Sequence, residues 1–255
     1  MIITAFFIFG ACIGSFLNVC ILRIPAGKSI VRPPSSCPEC GDRIPFYCNL
    51  PVISYLFLRG RCRNCGTRIS MRYPTVEILT GLFSAAVYMR FGLFPETALW
   101  LALICTLIVI SFIDLDHRII PDILSLPGIP VFMVFSVLTG QLTFIQSLTG
   151  ILAGGGVLYL VGLIYYLLKK IEGMGGGDIK LLAMIGAAVG LKGVVFTIFT
   201  GSVLGTVVGI ILMIYGRAID TKLKIPFGPF LSAGAVLYIF FGDMMIRWYI
   251  YGTGM

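Results

Sequence analysis

Charge is scarce in this sequence. Of 255 residues only 12% are Asp, Glu, Lys or Arg, and only 11 are acidic. A mean hydropathy of +1.01 leaves too little charge to cover the surface of a soluble domain, so that class is excluded. No Lys or Arg precedes Arg23. A secretory signal peptide begins with a basic segment, so residues 2–23 are expected to be a retained first span with its N-terminus outside the cytoplasm. There is no long internal repeat, the usual pointer to an inverted-repeat transporter. There is also no glycine-rich strand–turn–helix of the kind that binds nucleotides. The single histidine, His117, stands among charges in a short turn and reads as a solvated residue rather than a catalytic one.

What the chain has in quantity is long apolar runs. Eight segments, roughly 2–23, 74–92, 96–115, 122–139, 144–168, 178–190, 193–215 and 226–246, approach the ~18–20 residues that cross a bilayer as a helix. The sixth is short for a full crossing. The predicted fold is an all-α polytopic membrane protein of about eight transmembrane helices with one small cytoplasmic insertion, residues 24–73. Between these segments, 16 of the 19 Lys and Arg residues fall on one side, leaving Arg90, Lys192 and Arg247 on the other. The positive-inside rule makes the basic side cytoplasmic. The net charge of +8 is thereby explained by topology and attraction to anionic lipid, with no nucleic acid required.

Five of the eight cysteines lie in the insertion. Its sequence reads CPECG, then the 21 residues Gly41 to Arg61, then CRNCG. Two CxxC knuckles at this separation are a zinc-ribbon signature, and four thiolates (Cys37, Cys40, Cys62 and Cys65) fill a tetrahedral site, which makes the zinc structural. The glycine after each knuckle is expected to let backbone amides approach sulfur closely. A loop of about 50 residues buries little core, and a metal compensates. Cys48 is left over as a plain thiol, while Cys12, Cys20 and Cys105 are packing residues in spans.

The acids sort by position. Asp114 ends the third span while still on apolar helix. Asp116, two residues on, is about 200° around that helix and faces elsewhere. Asp122 follows Pro121 in the first turn of the next span, where a carboxylate suits the helix dipole. Glu77 lies about one turn inside the second span. The stretch EGMGGGDIK brings Glu172, four glycines, Asp178 and Lys180 to another cytoplasmic edge. Asp178 could simply cap the span that follows it. Capping does not require Gly173, Gly175, Gly176 and Gly177, whose bare backbone is expected to let an extended peptide dock main chain to main chain. Two carboxylates brought close cannot both ionise easily, which supplies a base for water and an acid for the leaving amide. Asp114 and Asp178 are therefore expected to hydrolyse a peptide bond at the membrane surface.

Across nearly the whole chain the sequence resembles the type IV prepilin peptidases, bifunctional leader peptidase/N-methyltransferases of bacterial inner membranes and GxGD-type aspartyl proteases. The resemblance rests on GACIGSFLNVCILRIP, the CPEC and CRNC knuckles, RISMRYPTVEILTG, FIDLDHRIIPDILSLPG, EGMGGGDIKLLAMIGA and IPFGPFLSAGA. It implies cleavage of a short basic leader from prepilin or pseudopilin substrates on the cytoplasmic side, then methylation of the new amino terminus with S-adenosylmethionine. The catalytic pair maps onto Asp114 and Asp178. Asp116, Asp122, Glu172, Gly175, Gly176, Gly177 and Lys180 map onto supporting or substrate-binding positions. The resemblance divides the chain into a first helix, 1–23, an insertion, 24–73, linked to methyl transfer, and a peptidase core, 74–255. Where Cys48 and Leu50 stand, the family commonly has an acidic or polar residue and isoleucine, and the methyl-transfer expectation rests on resemblance alone. Two other classes compete. In an ion-coupled transporter with a structural zinc loop, the edge acids would line a path. A zinc-ribbon assembly factor would leave the glycines without a role.

Overall fold

The computed structural model describes residues 1–37, 39–45, 50–170, 175–215 and 225–252, with backbone alone at 243, 246, 247 and 249–251. Helices α1 (Ile2–Arg23), α2 (Ile53–Phe57), α3 (Arg72–Phe91), α4 (Pro95–His117), α5 (Asp122–Leu138), α6 (Phe144–Lys169), α7 (Gly176–Ile214) and α8 (Gly228–Tyr251) account for the secondary structure. Among the described residues there is no strand beyond two isolated bridges. Four helices, α1, α4, α6 and α7, are long and apolar enough to cross a bilayer, and α5 and much of α8 are shorter apolar helices. This is an all-helical membrane protein. The chain divides into two compact units, Met1–Val109 and Ile110–Met255.

In the first unit α1 and α3 run antiparallel in close contact. A methyl group on Gly10 would collide with Ser84 and the Thr80 carbonyl, and one on Gly14 with the Glu77 backbone. Small residues at this spacing let two apolar helices approach, the usual source of cohesion where lipid removes the hydrophobic drive. Asn18 pins the register by donating to the Tyr73 carbonyl at 3.0 Å. The short helix α2, not anticipated from the sequence, lies in the insertion and buries none of its residues.

In the second unit the first limb of α7, residues 176–189, is the core: every residue from 181 to 190 is buried. Gly150 and Gly154 of α6 lie directly against its backbone, and Gly128 of α5 against Met184. The short segment expected at 178–190 and the full-length one at 193–215 together form α7, which breaks at Gly190 with φ 69° and ψ −174°, a conformation essentially restricted to glycine. The chain folds back there. A Cβ on Gly186 would lie 3.0 Å from Val194 Cγ2, whereas a straight helix would hold those residues ~12 Å apart along its axis. Carbonyls next to the break find side-chain donors: Ser147 donates to Ala187 O at 2.7 Å and Ser136 to Ala188 O at 3.3 Å. The second limb runs antiparallel to α8, with Gly201 against the Phe230 backbone and Gly234 against Thr197.

Candidate active site and candidate metal centre

Four helix ends of the second unit build the carboxylate site. Helix α4 stops where Arg118 adopts φ 57° and its amide donates to the Asp114 carbonyl at 2.8 Å. Asp114, one turn from that end, is buried at 5% exposure. Helix α8 begins at Gly228, whose amide has no partner within its own helix and donates to Asp114 Oδ2 at 3.1 Å. The carboxylate thus caps a neighbouring helix in place of one of that helix's own residues. A Cβ at 228 would come 2.7 Å from Asp114 Oδ2, so a larger residue there would push the carboxylate aside.

Helix α7 supplies the second acid. Gly175 is its N-cap, extended at φ −69° and ψ 134°, and Asp178 is its third residue. Asp178 is half-buried. Its neighbour Gly177 and the Asp114-bound Gly228 both pack on Ile120, so the first turn of α7 and Asp114 meet around one side chain. Ile120, in the link between α4 and α5, packs between the two helix starts. A Cβ on Gly177 would come 2.8 Å from Ile120 Cβ, and one on Gly228 3.3 Å from Ile120 Cδ1.

The glycine run differs from expectation. Gly176 and Gly177 are not extended chain but the first turn of α7, so only Gly175 among the described glycines has an extended backbone. Their roles also differ: Gly177 is glycine because Ile120 packs against it, whereas Gly176 faces open space. Asp178 makes no capping bond.

The supporting residues separate too. Lys180 Nζ bonds both oxygens of Asp122, at 2.8 and 2.9 Å, which ties the start of α5 to α7. Asp122 thus does more than complement a helix dipole. Asp116 is exposed on the same helix that buries Asp114, as its spacing requires. Glu172, Gly173 and Cys48 lie outside the described residues. Sequence reasoning missed Gly228 and Ile120. The signal for Gly228 was the GP pair at the head of an apolar run, since Pro is tolerated in a first helical turn and marks a helix start.

The insertion, in the first unit, carries a separate cluster. The Sγ atoms of Cys37, Cys40, Cys62 and Cys65 all lie within 4.8 Å of one another, with Cys37 and Cys65 at 3.8 Å. Four thiolates around a tetrahedral zinc, at ~2.3 Å each, stand ~3.8 Å apart. The residues fit that ion. The described residues of the two knuckles share one hydrogen-bond pattern. In the first, Cys37 N–H donates to Asp42 O and Gly41 N–H to Cys37 O; in the second, Cys62 N–H donates to Thr67 O and Gly66 N–H to Cys62 O. A bridge closes each, Ser36 with Arg43 and Arg61 with Arg68. The sequence carries the same repeat, CxxCGxRI. The knuckle glycines are needed for their φ of 71° and 72°, not for close approach, because a Cβ on either would meet nothing. Thr67, through its hydroxyl and amide, holds the Cys65 thiol down to about 6. This favours its thiolate, the form that binds metal.

Residues 8–91 match the Bacterial Peptidase A24 N-terminal domain, and residues 101–210 match the Type IV leader peptidase family. The chain is 40% identical to a prepilin leader peptidase/N-methyltransferase of Myxococcus xanthus over 83% of this chain and 64% of that protein. It is 37% identical to a protein of the same name from Aeromonas hydrophila and 34% to one from Pseudomonas aeruginosa, each over 96% of this chain and 92% of the relative. No solved structure matches it. These likenesses support a leader peptidase and not an ion-coupled transporter.

Proposed function

This chain belongs to the type IV leader peptidase family and is an enzyme, and we propose that Asp114 and Asp178 are its peptidase pair. The observation that carries the assignment is their convergence from separate helices, one carboxylate buried and aligned by the Gly228 amide, the other in the first turn of α7. One carboxylate takes a proton from water as the oxygen attacks the scissile carbonyl. The other gives a proton to the departing amine, so that leader carboxylate and mature amino terminus are the products. The Gly228 bond occupies Oδ2 of Asp114 and orients Oδ1. The open face at Gly176, beside Asp178, is the place for the substrate backbone. Lys180 and Asp122 hold α7 against α5 and support this geometry from outside.

The substrates are prepilins or pseudopilins with basic leaders, whose new amino terminus is methylated from S-adenosylmethionine. Cys37, Cys40, Cys62 and Cys65 hold one zinc ion, whose role is to fold the insertion, residues 24–73, which serves methyl transfer. The enzyme sits in a bacterial inner membrane with its acids toward the cytoplasm, as the partition of Lys and Arg supports. Incubating purified protein with a prepilin, with and without S-adenosylmethionine, and weighing the products tests both reactions. Loss of the leader in both tubes, with one added methyl group only when donor is present, is expected. An intact prepilin in both tubes overturns the assignment. An impermeant thiol reagent applied to intact cells, failing at Ile30→Cys and labelling Gln141→Cys, is the expected topology result.

A further inference from the structure

A cavity of about 430 Å3 in the first unit lies between one face of α1 and the insertion. Ser15, Phe16 and Arg23 are part of its floor, and Val31, Pro34 and Pro51 part of its roof. The floor is a different face of α1 from the Gly10, Gly14 and Asn18 face that packs on α3. We propose that this cavity is the binding site for the methyl donor, S-adenosylmethionine, and that Glu77 is a positioning residue that holds its roof to its floor. The proposal rests on the methyl-transfer reading above and gives that reaction a location.

Glu77 carries the argument. It is a carboxylate buried at 8% exposure on an apolar helix, remote in sequence from the aspartates and unused by the peptidase reaction. Burying such a group is costly unless its bonds are filled. Its Oε2 accepts the Val52 amide at 2.7 Å, and its backbone lies against Gly14 of α1. Gly14 precedes the floor residue Ser15 directly, and Val52 follows the roof residue Pro51 directly. One residue thus joins both walls. Val52 is itself strained: φ is 62° at a β-branched residue, with the Ile53 amide returning to the Pro51 carbonyl at 2.6 Å in the rare form of γ-turn. Strain held in place by a buried carboxyl group beside a cavity is the pattern of a built site.

The lining suits the donor. Arg23 spends one guanidinium N–H on the Ser29 carbonyl at 3.0 Å and has further donors for a carboxylate. Phe16 offers a ring face to a sulfonium or a purine, and the volume lies within the range of small-molecule pockets. The acceptor amine is tethered to an apolar helix and stays at the membrane edge, so the soluble donor must come to it. A cavity floored by a membrane helix and roofed by the insertion meets that demand.

Equilibrium dialysis of tritiated S-adenosylmethionine against the zinc-loaded protein tests the assignment. Wild type is expected to bind one donor per chain. Arg23→Ala and Val31→Trp are each expected to weaken binding at least tenfold, and Glu77→Gln to weaken it less. Arg23→Ala and Val31→Trp are expected to keep wild-type zinc content and melting temperature. As a check that needs no variant, ultraviolet cross-linking of the tritiated donor to wild type should label α1, residues 30–35 or residues 50–51. Label elsewhere, or unchanged affinity in both Arg23→Ala and Val31→Trp, overturns the location while leaving donor use intact. No binding by wild type at millimolar donor overturns the methyl-transfer reading together with its site.

Discussion

The cysteine cluster and the aspartate cluster hold reactive side chains by opposite means. Each CxxC knuckle closes its own hydrogen bonds within six residues, so the four sulfurs need only two small loops brought face to face. Asp114 and Asp178 have no local frame of that kind. One hangs from the end of α4, the other from the start of α7, and the donor that aligns Asp114 is an amide 114 residues away, at the start of α8. A site built locally tolerates change around it and fails when its metal goes. A site built from helix ends is exposed to every residue that sets how those ends meet. Glycine shows the same divide. In the knuckles Gly41 and Gly66 are present for backbone angle, with empty space around them, whereas Gly177 and Gly228 are present because side chains press against them.

The comparison is sharpened first by its largest expected effect. Asp114→Asn and Asp178→Asn should each leave the protein folded and inserted but lower leader cleavage by about 10³-fold or more, since one titrating group cannot serve as both base and acid. Mass spectrometry of the pilin product is the readout. Next comes a residue that is neither acidic nor charged. Gly228→Ala places a methyl group against Asp114 Oδ2 and Ile120, and a displacement of ~1 Å costs about 10²-fold in kcat. Unchanged cleavage by this variant would break the claim that the α8 terminus aligns the acid. Cys37→Ser with Cys62→Ser should remove about one zinc per chain by elemental analysis and open the insertion to protease, with leader cleavage affected far less than by Gly228→Ala. At the small end, Lys180→Met removes an ion pair whose members are 36% and 58% exposed. It should cost no more than ~1 kcal/mol in a thermal melt and change cleavage only a few-fold.

The legible parts follow the same line. The zinc knuckles, the apolar runs and the buried face of Asp114 were readable because each depends on spacing of a few residues. The turn between 190 and 193 was readable for the same reason, as a break in an apolar run, although the carbonyl bonds from Ser136 and Ser147 that accommodate it were not. The pairing of Asp114 with Asp178 was inferred from a shared membrane edge and a family resemblance, not from periodicity. The amide of Gly228, the wedge of Ile120 and the partnership of Lys180 with Asp122 were invisible because they arise only when distant helix ends meet. The glycine run was misjudged in part because bare backbone looks alike in sequence, whether it forms an extended dock or a helix start under a packed isoleucine.

The most direct test of the central claim is whether the two aspartates act as one unit. Leader cleavage should be measured for Asp114→Asn, Asp178→Asn and the double variant, in one lipid preparation and with one prepilin. Each single variant is expected to be as inactive as the double, because removing either member of a base–acid pair removes the whole reaction path. Near-normal cleavage by either single variant, or losses that multiply in the double, would contradict the account.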